Sequence, residues 1–323
     1  MWLEEGDGFA QIEPPEAARP GQVYDLASLT KVIAGVSAVA ELVRQGTIAP
    51  EQPVKEWLDG VDARMTIAHL LQHQAGYPAW EPLYESFDAW GTPATREAMI
   101  DRATETPLTQ EPGRAHVYSD LGFLTLLRIV ERAAGQRLDH FLGHLTWFDT
   151  DGWGLTWGCP SAAATEDCPV RQSVVRGQVH DLNAFAMGGV SSHAGLFGSA
   201  RGVAAFGAAV GHALRSPQDS PLPGEAFRQL LLAPDEAHLR HRGGWDTVSR
   251  DGYTSTGTLF PTEALGHLGY TGTSLWIVPS QATSVALLTN RIHPVDDLTG
   301  IRAFRPAVHD AVSRALGWDR GLA

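Results

Sequence analysis

Residues 29–45 form the stretch that most restricts how this chain can fold. Apolar and small side chains occupy nearly every position, so the sequence predicts a helix that is buried on all sides. Gly46 follows where a C-terminal cap is expected, and residues 20–21, Pro-Gly, mark a turn ahead of a short strand at residues 22–24. The rest of the chain must therefore pack around a central helix.

Ser28 and Lys31 stand at the start of this helix. In a helical S-x-x-K segment the two side chains lie on one face, one turn apart, so that a hydroxyl meets an amine. The positive end of the helix dipole favours negative charge developing at the hydroxyl. By itself the pattern is weak, since a serine and a lysine often fall three residues apart by chance.

Composition limits the classes of partner. The 323 residues are 43% hydrophobic and 19% charged, which is typical of a soluble globular protein with a full core. A formal net charge of -13 argues against nucleic acid or an anionic membrane as a partner. Residues 1–10 lack the pattern of a signal peptide, and no run approaches the roughly 18 apolar residues of a membrane span. As written, the chain is expected to be cytoplasmic, or exported if its true start lies upstream.

Cysteine and histidine spacings do not favour a metal site. Cys159 and Cys168 are compatible with a disulfide, two free thiols or half a metal site, and we expect free thiols without a catalytic role. His69 and His73 are four apart, but Leu70 stands where an H-E-x-x-H site has glutamate. These histidines are expected to pack and to cap a helix, and the sequence predicts no metal and no cofactor.

Element patterns predict an α+β chain. Helices are expected at residues 66–73, 95–103, 121–134, 203–214 and 301–316, and strands at residues 245–248, 266–278 and 283–289. A small N-terminal hairpin is expected to turn at residues 4–7, and residues 13–19 are expected to be irregular. We therefore predict a sheet domain from residues 1–60 and 240–323, an inserted helical domain from residues 61–239, and an active site at their interface.

Three short motifs, taken together, carry a family resemblance. They are Ser28-x-x-Lys31, Tyr118-x-Asp120 and His267-x-Gly269. They resemble the active-site motifs of the serine β-lactamase and penicillin-binding-protein superfamily, in the class C-like branch that also contains DD-peptidases and family VIII esterases. Four longer segments also resemble sequences of this family and occur in the family's order: residues 25–31, 69–76, 118–123 and 188–190. The resemblance runs from about residue 20 to the end and implies a β-lactamase/transpeptidase-like fold, an α/β sandwich with an antiparallel sheet flanked by helices.

The resemblance implies acyl transfer through a covalent serine. Ser28 would attack an ester or amide carbonyl, while Lys31 and Tyr118 would manage its proton. Which of the two takes the proton is left open. The oxyanion would be held by the main-chain N–H groups of Ser28 and Tyr270.

The other motif residues have supporting roles in this scheme. Gly269 would let the strand edge approach the substrate, His267 would face it, and Asp120 would position Lys31 or substrate. Each also has a structural interpretation: Tyr118 as a core aromatic, His267 as an ordinary strand histidine, and Asp120 as local support. Three further polar residues of a glycine-rich loop are expected to order that loop and stay outside the site: His180, Asp181 and His193.

Two departures from the family pattern bear on substrate. Leu268 replaces the threonine or serine that helps to hold a substrate carboxylate, and Thr271 or Thr273 is the alternative source of that hydroxyl. Only 27 residues precede Ser28, so either the sheet edge is reduced or the true start lies upstream.

The sequence thus predicts a serine hydrolase acting on small esters or amides, with esterase-like or peptidase-like activity. One alternative is a β-lactamase or DD-peptidase proper, acting on penicillins or D-Ala-D-Ala peptides. The other is a non-catalytic binding or sensing module. The expected partner is a small molecule or a peptidoglycan-type peptide, not nucleic acid or membrane, and the sequence specifies no oligomeric state.

Overall fold

The central helix is present and buried as predicted. The computed structural model describes residues 3–148, 150–232, 240–249 and 252–318. A π-helical turn, Lys31–Gly35, continues into α1, Val36–Arg44, and every side chain of the first segment is buried. Gly46 ends the helix with a φ of 70°, a left-handed value that glycine adopts without strain.

A five-stranded antiparallel sheet lies beside this helix. Its strands are β8 (His241–Arg242), β9 (Trp245–Thr247), β10 (Leu265–Leu268), β11 (Ser274–Val278) and β12 (Thr283–Leu287), in the order β12-β11-β10-β9-β8. The prediction of one strand over residues 266–278 is wrong, because β10 and β11 form an antiparallel pair with His267 opposite Leu275. Gly272, with a φ of 104°, allows the turn between them.

Helices cover both faces of the sheet. The long helix α8, Ala200–Arg215, approaches one face closely: a Cβ on Gly207 would lie 2.8 Å from Leu275, and one on Gly211 would lie 2.9 Å from Ile277. Side chains of the alternate residues, such as Trp276, point to the opposite face. There Trp276 packs in one cluster with Phe260 and Trp318, at the end of the closing helix.

The closing helix α10, Leu298–Leu316, is present as predicted, but a different face is buried. Its apolar spacing, at residues 301, 304, 308, 312 and 316, predicts that these side chains are buried, but Phe304 and Leu316 are about half exposed. The buried positions are instead Ile301, Arg305, His309 and Ser313. The polar side chains tolerate burial because each makes a hydrogen bond to a main-chain carbonyl.

The middle of the chain is largely helical. The helices predicted there are α2 (Ile67–Leu71), α3 (Pro93–Glu105) and α4 (Asp120–Ala134). Ser119 caps α4 by accepting a hydrogen bond from the Gly122 N–H, and Gly135 ends it in the left-handed conformation. Shorter elements complete this part: α5 (Leu138–Gly143), α6 (Thr150–Trp153), β4 (Thr156–Trp157), β5 (Asp167–Cys168), β6 (Ser173–Val174), α7 (Leu182–Ala186), β7 (Leu196–Ser199) and α9 (Gly224–Leu232).

The N-terminal hairpin turns later than predicted. β1, Phe9–Gln11, pairs with β2, Glu16–Ala17, so the turn falls at residues 12–15 rather than 4–7, and residues 13–19 are not wholly irregular. Pro14 and Pro15 lie in the turn, where a missing N–H is tolerated. Residues 1–2 of the predicted hairpin lie outside the described residues.

The strand that precedes the central helix belongs to a separate small sheet. β3, Val23–Asp25, pairs with β7, which also pairs with β4. The strands from the two ends of the chain therefore do not share one sheet within the described residues, and the division at residues 60 and 240 stays a prediction. Cys159 and Cys168 are free thiols, as predicted. Among the described helices, none combines the length and apolar character that crossing a bilayer requires.

Candidate active site

Ser28 lies on a strained turn between β3 and the central helix. Ala27, immediately before it, has a φ of 47°, which is uncommon for a residue with a Cβ. The Asp25 carboxylate holds this turn, because it accepts hydrogen bonds from the N–H groups of Ala27 (2.8 Å) and His180 (2.6 Å). Ser28 is half-buried and lines a cavity of about 720 Å³.

Lys31 is fully buried behind Ser28. Its Nζ lies 3.0 Å from Ser28 Oγ, 2.6 Å from Asp120 Oδ1 and 3.4 Å from the His193 carbonyl oxygen. Burial alone lowers the pKa of Lys31, but the negative charge of Asp120, together with the interactions with Tyr118, outweighs it, so the pKa lies above its usual value. The buried amine is therefore a cation held by three oxygen atoms.

Tyr118 lines the cavity beside Lys31, one residue before the cap of α4. The Lys31 Nζ is 4.9 Å from the centroid of the Tyr118 ring, and the ring of His73 packs against that ring at 4.4 Å. Burial raises the pKa of Tyr118, and the charge of Lys31, with hydrogen bonding to Lys31 and Ser28, only partly opposes it. The phenol is thus in contact with both other members of the predicted set.

The third motif lies at the end of β10 and in the turn that follows it. His267, Gly269 and Tyr270 all line the cavity. A Cβ on Gly269 would lie 2.0 Å from Thr273 Oγ1 and 2.7 Å from the Leu26 carbonyl oxygen, so only glycine fits here. The seven residues predicted from sequence are therefore brought together: six line the cavity and Lys31 lies directly behind Ser28.

Thr271 and Thr273 do not replace the hydroxyl that Leu268 lacks. Both side chains are buried, and they donate to the main-chain carbonyl oxygens of Asp25 (2.7 Å) and Leu26 (3.0 Å). The expectation that one of these hydroxyls holds a substrate carboxylate is wrong, because both already donate to main-chain carbonyls. These bonds join the segment after β10 to the turn before Ser28. They fix the third motif relative to the nucleophile position.

Two main-chain N–H groups of cavity-lining residues have no acceptor among the described residues. The N–H groups of Ser28 and Tyr270 donate to no other described residue. The side chain of Tyr270 turns outward, where its hydroxyl donates to Asp296 at 2.7 Å and its ring stacks on His180 at 5.5 Å. Free N–H groups beside a serine hydroxyl suit an oxyanion.

Arg305 is a cation that sequence analysis missed. It reaches the cavity from α10, is 7% exposed, and forms no ion pair with any described residue. One of its nitrogens donates to the carbonyl oxygens of Gly269 (2.9 Å) and Thr273 (2.8 Å). Burial lowers the pKa of Arg305 to about 10, which still leaves it charged at neutral pH. Its helical position carried no motif, so only the tertiary fold reveals it.

His180, Asp181 and His193 line the cavity wall, and the prediction that they order the loop and stay outside the core site remains a prediction. His193 Nε2 lies 3.0 Å from Asp181 Oδ1, its Nδ1 lies 2.7 Å from Ser191 Oγ, and its carbonyl accepts from Lys31. Burial would raise the pKa of Asp181, but His193 and the N–H of Ala184 hold it at about 2. The polar, glycine-rich character of this loop is the sequence signal for its place at the cavity.

A histidine cluster forms another part of the wall. His73, His241 and His267 place their ring nitrogens within 4.8 Å of one another, and His116 Nε2 lies 2.9 Å from His241 Nδ1. Burial and the nearby charge of Lys31 lower the pKa of His267 to about 3, so this ring is neutral. A second group, Asp120, Asp181 and His193, has ligand atoms equally close, but the Lys31 ammonium already occupies Asp120.

His69 and His73 behave as predicted. His69 forms a capping box with Thr66, and His73, with a φ of 57°, lies beyond the end of α2 and packs on Tyr118.

Comparisons with known proteins agree with this geometry. Residues 1–308 match the family model described as Beta-lactamase. A relative from Escherichia coli (strain K12), named putative D-alanyl-D-alanine carboxypeptidase, is 30% identical over 333 residues, which cover 90% of this chain and 74% of the relative.

Solved structures extend the likeness of fold. The octameric penicillin-binding protein homologue from Pyrococcus abyssi has a TM-score of 0.68 at 18% identity, covering 97% of this chain and 70% of its own. EstCE1, a hydrolase with promiscuous acyltransferase activity, has a TM-score of 0.68 at 21% identity, covering 95% and 89%. At these identities the likeness concerns the fold, and it confirms the predicted fold class. With the family model matching most of the chain, the protein belongs to the Beta-lactamase family.

Proposed function

We propose that this protein is a serine hydrolase that forms an acyl-enzyme at Ser28 and acts on small esters or amides. The observation that carries the proposal is the contact of Lys31 Nζ with Ser28 Oγ at 3.0 Å, on a buried helix start that faces the cavity. Burying a charged amine costs free energy unless an opposite charge or hydrogen-bond acceptors compensate it. Here it has Asp120 as partner and the serine hydroxyl as neighbour.

Tyr118 is the general base in this mechanism. Lys31 is protonated and donates to Ser28 Oγ, so it has no lone pair to offer the serine proton. The Lys31 Nζ lies 4.9 Å from the centroid of the Tyr118 ring, and its positive charge stabilises the Tyr118 phenolate. As Ser28 Oγ bonds to the substrate carbonyl carbon, its proton moves to the Tyr118 oxygen and then to the leaving alcohol or amine.

The N–H groups of Ser28 and Tyr270 hold the oxyanion of the tetrahedral intermediate. They donate to no other described residue, so they need not break existing hydrogen bonds when negative charge develops. A water molecule then attacks the acyl-enzyme carbonyl and gives a proton to Tyr118. As the bond between Ser28 Oγ and the acyl carbon breaks, this proton passes from Tyr118 to Ser28 Oγ, which releases the acid and restores both residues. Gly269 keeps this wall close to the serine.

A second candidate, a carboxypeptidase acting on peptides that end in D-alanine, is favoured by Arg305. A buried cation without an ion-pair partner suits the carboxylate of such a substrate, in place of the hydroxyl that Leu268 lacks. The name of the Escherichia coli relative points to the same substrate class. Two points count against this candidate. Arg305 already donates to the Gly269 carbonyl oxygen, and hydrolysis of a neutral ester requires no cation at this position.

Turnover of two substrates separates the candidates. We expect the protein to hydrolyse a short-chain aryl ester, and Ser28→Ala to abolish this. Release of D-alanine from a D-Ala-D-Ala peptide at a comparable kcat/KM would favour the second candidate. Ser37→Ala removes a buried hydroxyl from the same helix and serves as the matched control, with activity unchanged. Ester hydrolysis that survives Ser28→Ala would contradict the proposal.

A further inference from the structure

Two histidines on the cavity wall have the arrangement of metal ligands. We propose that His241 and His267 bind a divalent transition metal such as Zn²⁺ beside Tyr118, and that the bound metal inhibits the enzyme. Nitrogens of these two rings and of His73 lie within 4.8 Å of one another. Metal binding is independent of the proposed function, and only the inhibition rests on it.

His267 has one nitrogen fixed and the other free. Its Nδ1 lies 2.8 Å from the Leu268 carbonyl oxygen, which can only accept, so Nδ1 carries the hydrogen. Nε2 therefore has a lone pair, and this buried atom has no hydrogen-bond partner among the described residues. Metal-ligating histidines usually have this arrangement, with one N–H held by a carbonyl or carboxylate and the other nitrogen bound to the metal.

His241 has a partner for its Nδ1 hydrogen on a neighbouring ring. Its Nδ1 lies 2.9 Å from His116 Nε2. With the hydrogen of this contact on His241 Nδ1, the Nε2 atom of His241 has a lone pair for the metal. His116 orients His241 as an outer partner orients a metal ligand.

His73 completes the site without binding the metal directly. The Ser119 N–H donates to His73 Nδ1 at 3.0 Å, so the hydrogen of this neutral ring is on Nε2. That N–H is buried and has no partner among the described residues. It is therefore a donor for a water or hydroxide on the metal, in a site with two protein ligands and open positions.

The donor set selects the metal. Imidazole nitrogens favour zinc, copper, nickel or cobalt over magnesium and calcium, which prefer oxygen. Tetrahedral Zn²⁺ with bonds of about 2.0–2.1 Å places its ligand nitrogens about 3.4 Å apart, so the rings move together when the metal binds. The positive charges of Lys31 and Arg240 act on His267 and weaken binding. The site is thus one that fills when metal is added, and the expectation that catalysis needs no metal is retained.

Inhibition follows from the position of the site. The ring of Tyr118 lies 5.6 Å from that of His241 and 5.9 Å from that of His267, and all three residues line the cavity. A dication there occupies space that substrate needs and attracts the Tyr118 phenolate away from the serine proton. Zn²⁺ therefore acts as a reversible inhibitor that competes with substrate.

Calorimetric titration of the purified protein with Zn²⁺ alone tests binding. We expect one Zn²⁺ per chain, and a loss of affinity of about tenfold or more in His241→Asn and in His267→Asn. His140→Asn removes an exposed histidine outside the cavity and should bind Zn²⁺ like the wild type. Mg²⁺ should give no heat. Equal affinity in the wild type and both cavity variants, or no binding to the wild type, would overturn the proposal.

X-ray absorption of the Zn²⁺-loaded wild type keeps the test decisive if a variant does not fold. Two imidazole ligands are expected, and a shell of oxygen ligands alone would contradict the site. In the ester assay Zn²⁺ should raise KM, a chelator should reverse this, and His241→Asn should be insensitive. Absence of all ester turnover would reject the proposed function while leaving the binding result to decide the metal site.

Discussion

Asp120 Oδ1 lies 2.6 Å from Lys31 Nζ, so the first residue of one helix fixes the charge state of a lysine on another. This ion pair keeps a buried amine protonated beside a serine hydroxyl. It also explains why a lysine is tolerated in a helix that is otherwise apolar on all sides. The pair assigns the role of proton acceptor to Tyr118 in the mechanism we propose.

Ser28 and Lys31 should act as one unit. Ser28→Ala and Lys31→Ala should each reduce kcat/KM for an aryl ester by roughly a thousandfold or more, and the double variant should be little worse than either single variant. Losses that multiply in the double variant would show independent roles. Circular dichroism melts establish that each variant is folded.

Alkaline pH should activate the enzyme. The phenolate of Tyr118 is the active form, and burial raises the pKa of this phenol above its ordinary value. Activity is therefore lowest where the phenol is protonated, and kcat/KM should rise between about pH 7 and pH 9 without a plateau. Tyr118→Phe keeps the packing against His73 and should lose the rise, with kcat lower by about a hundredfold or more. A plateau reached near neutral pH would assign the base to another group.

Arg305 should distinguish anionic from neutral substrates. Arg305→Gln removes the charge beside Gly269, so KM for a substrate with a free carboxylate should rise about tenfold, while KM for a neutral ester should change little. Arg302→Gln, an exposed arginine on the same helix, is the matched control. An equal loss with both substrates would mean that Arg305 only supports the end of β10.

Protonation of Asp181 should lower the free energy of unfolding at acid pH. Its pKa is lowered to about 2 in the folded protein, so its contribution is present above its unfolded pKa and is lost as pH falls from about 4 to 2. The wild type should lose about 2 kcal/mol of unfolding free energy to this group across that window. Asp181→Asn should be less stable at neutral pH and lose less on acidification, as measured by urea unfolding. Parallel curves would contradict the linkage.

Local patterns were sufficient for the framework of the site. The S-x-x-K spacing, the apolar run after it and the glycines at 46 and 135 each depend on neighbours within a turn or two, so sequence reveals them. The same holds for Tyr118, because the Ser119 cap fixes it at the start of α4.

Contacts between segments that are distant along the chain cannot be predicted from local sequence patterns. The hydroxyls of Thr271 and Thr273 bond to carbonyls some 246 and 247 residues away along the chain, and nothing local indicates that they are occupied. The apolar spacing of α10 predicts the wrong buried face because Arg305 finds its carbonyl acceptors, Gly269 and Thr273, in a distant segment. The contact of the His193 carbonyl with Lys31 is also long-range, so the sequence does not reveal it.

The mass of the intact protein after brief exposure to an activated ester and to a panel of β-lactams tests the central claim most directly. The account predicts an increase equal to one acyl group on the wild type and none on Ser28→Ala, with Ser37→Ala labelled like the wild type. A folded wild-type protein that acquires no adduct and turns over no ester would contradict it and favour a non-catalytic binding module.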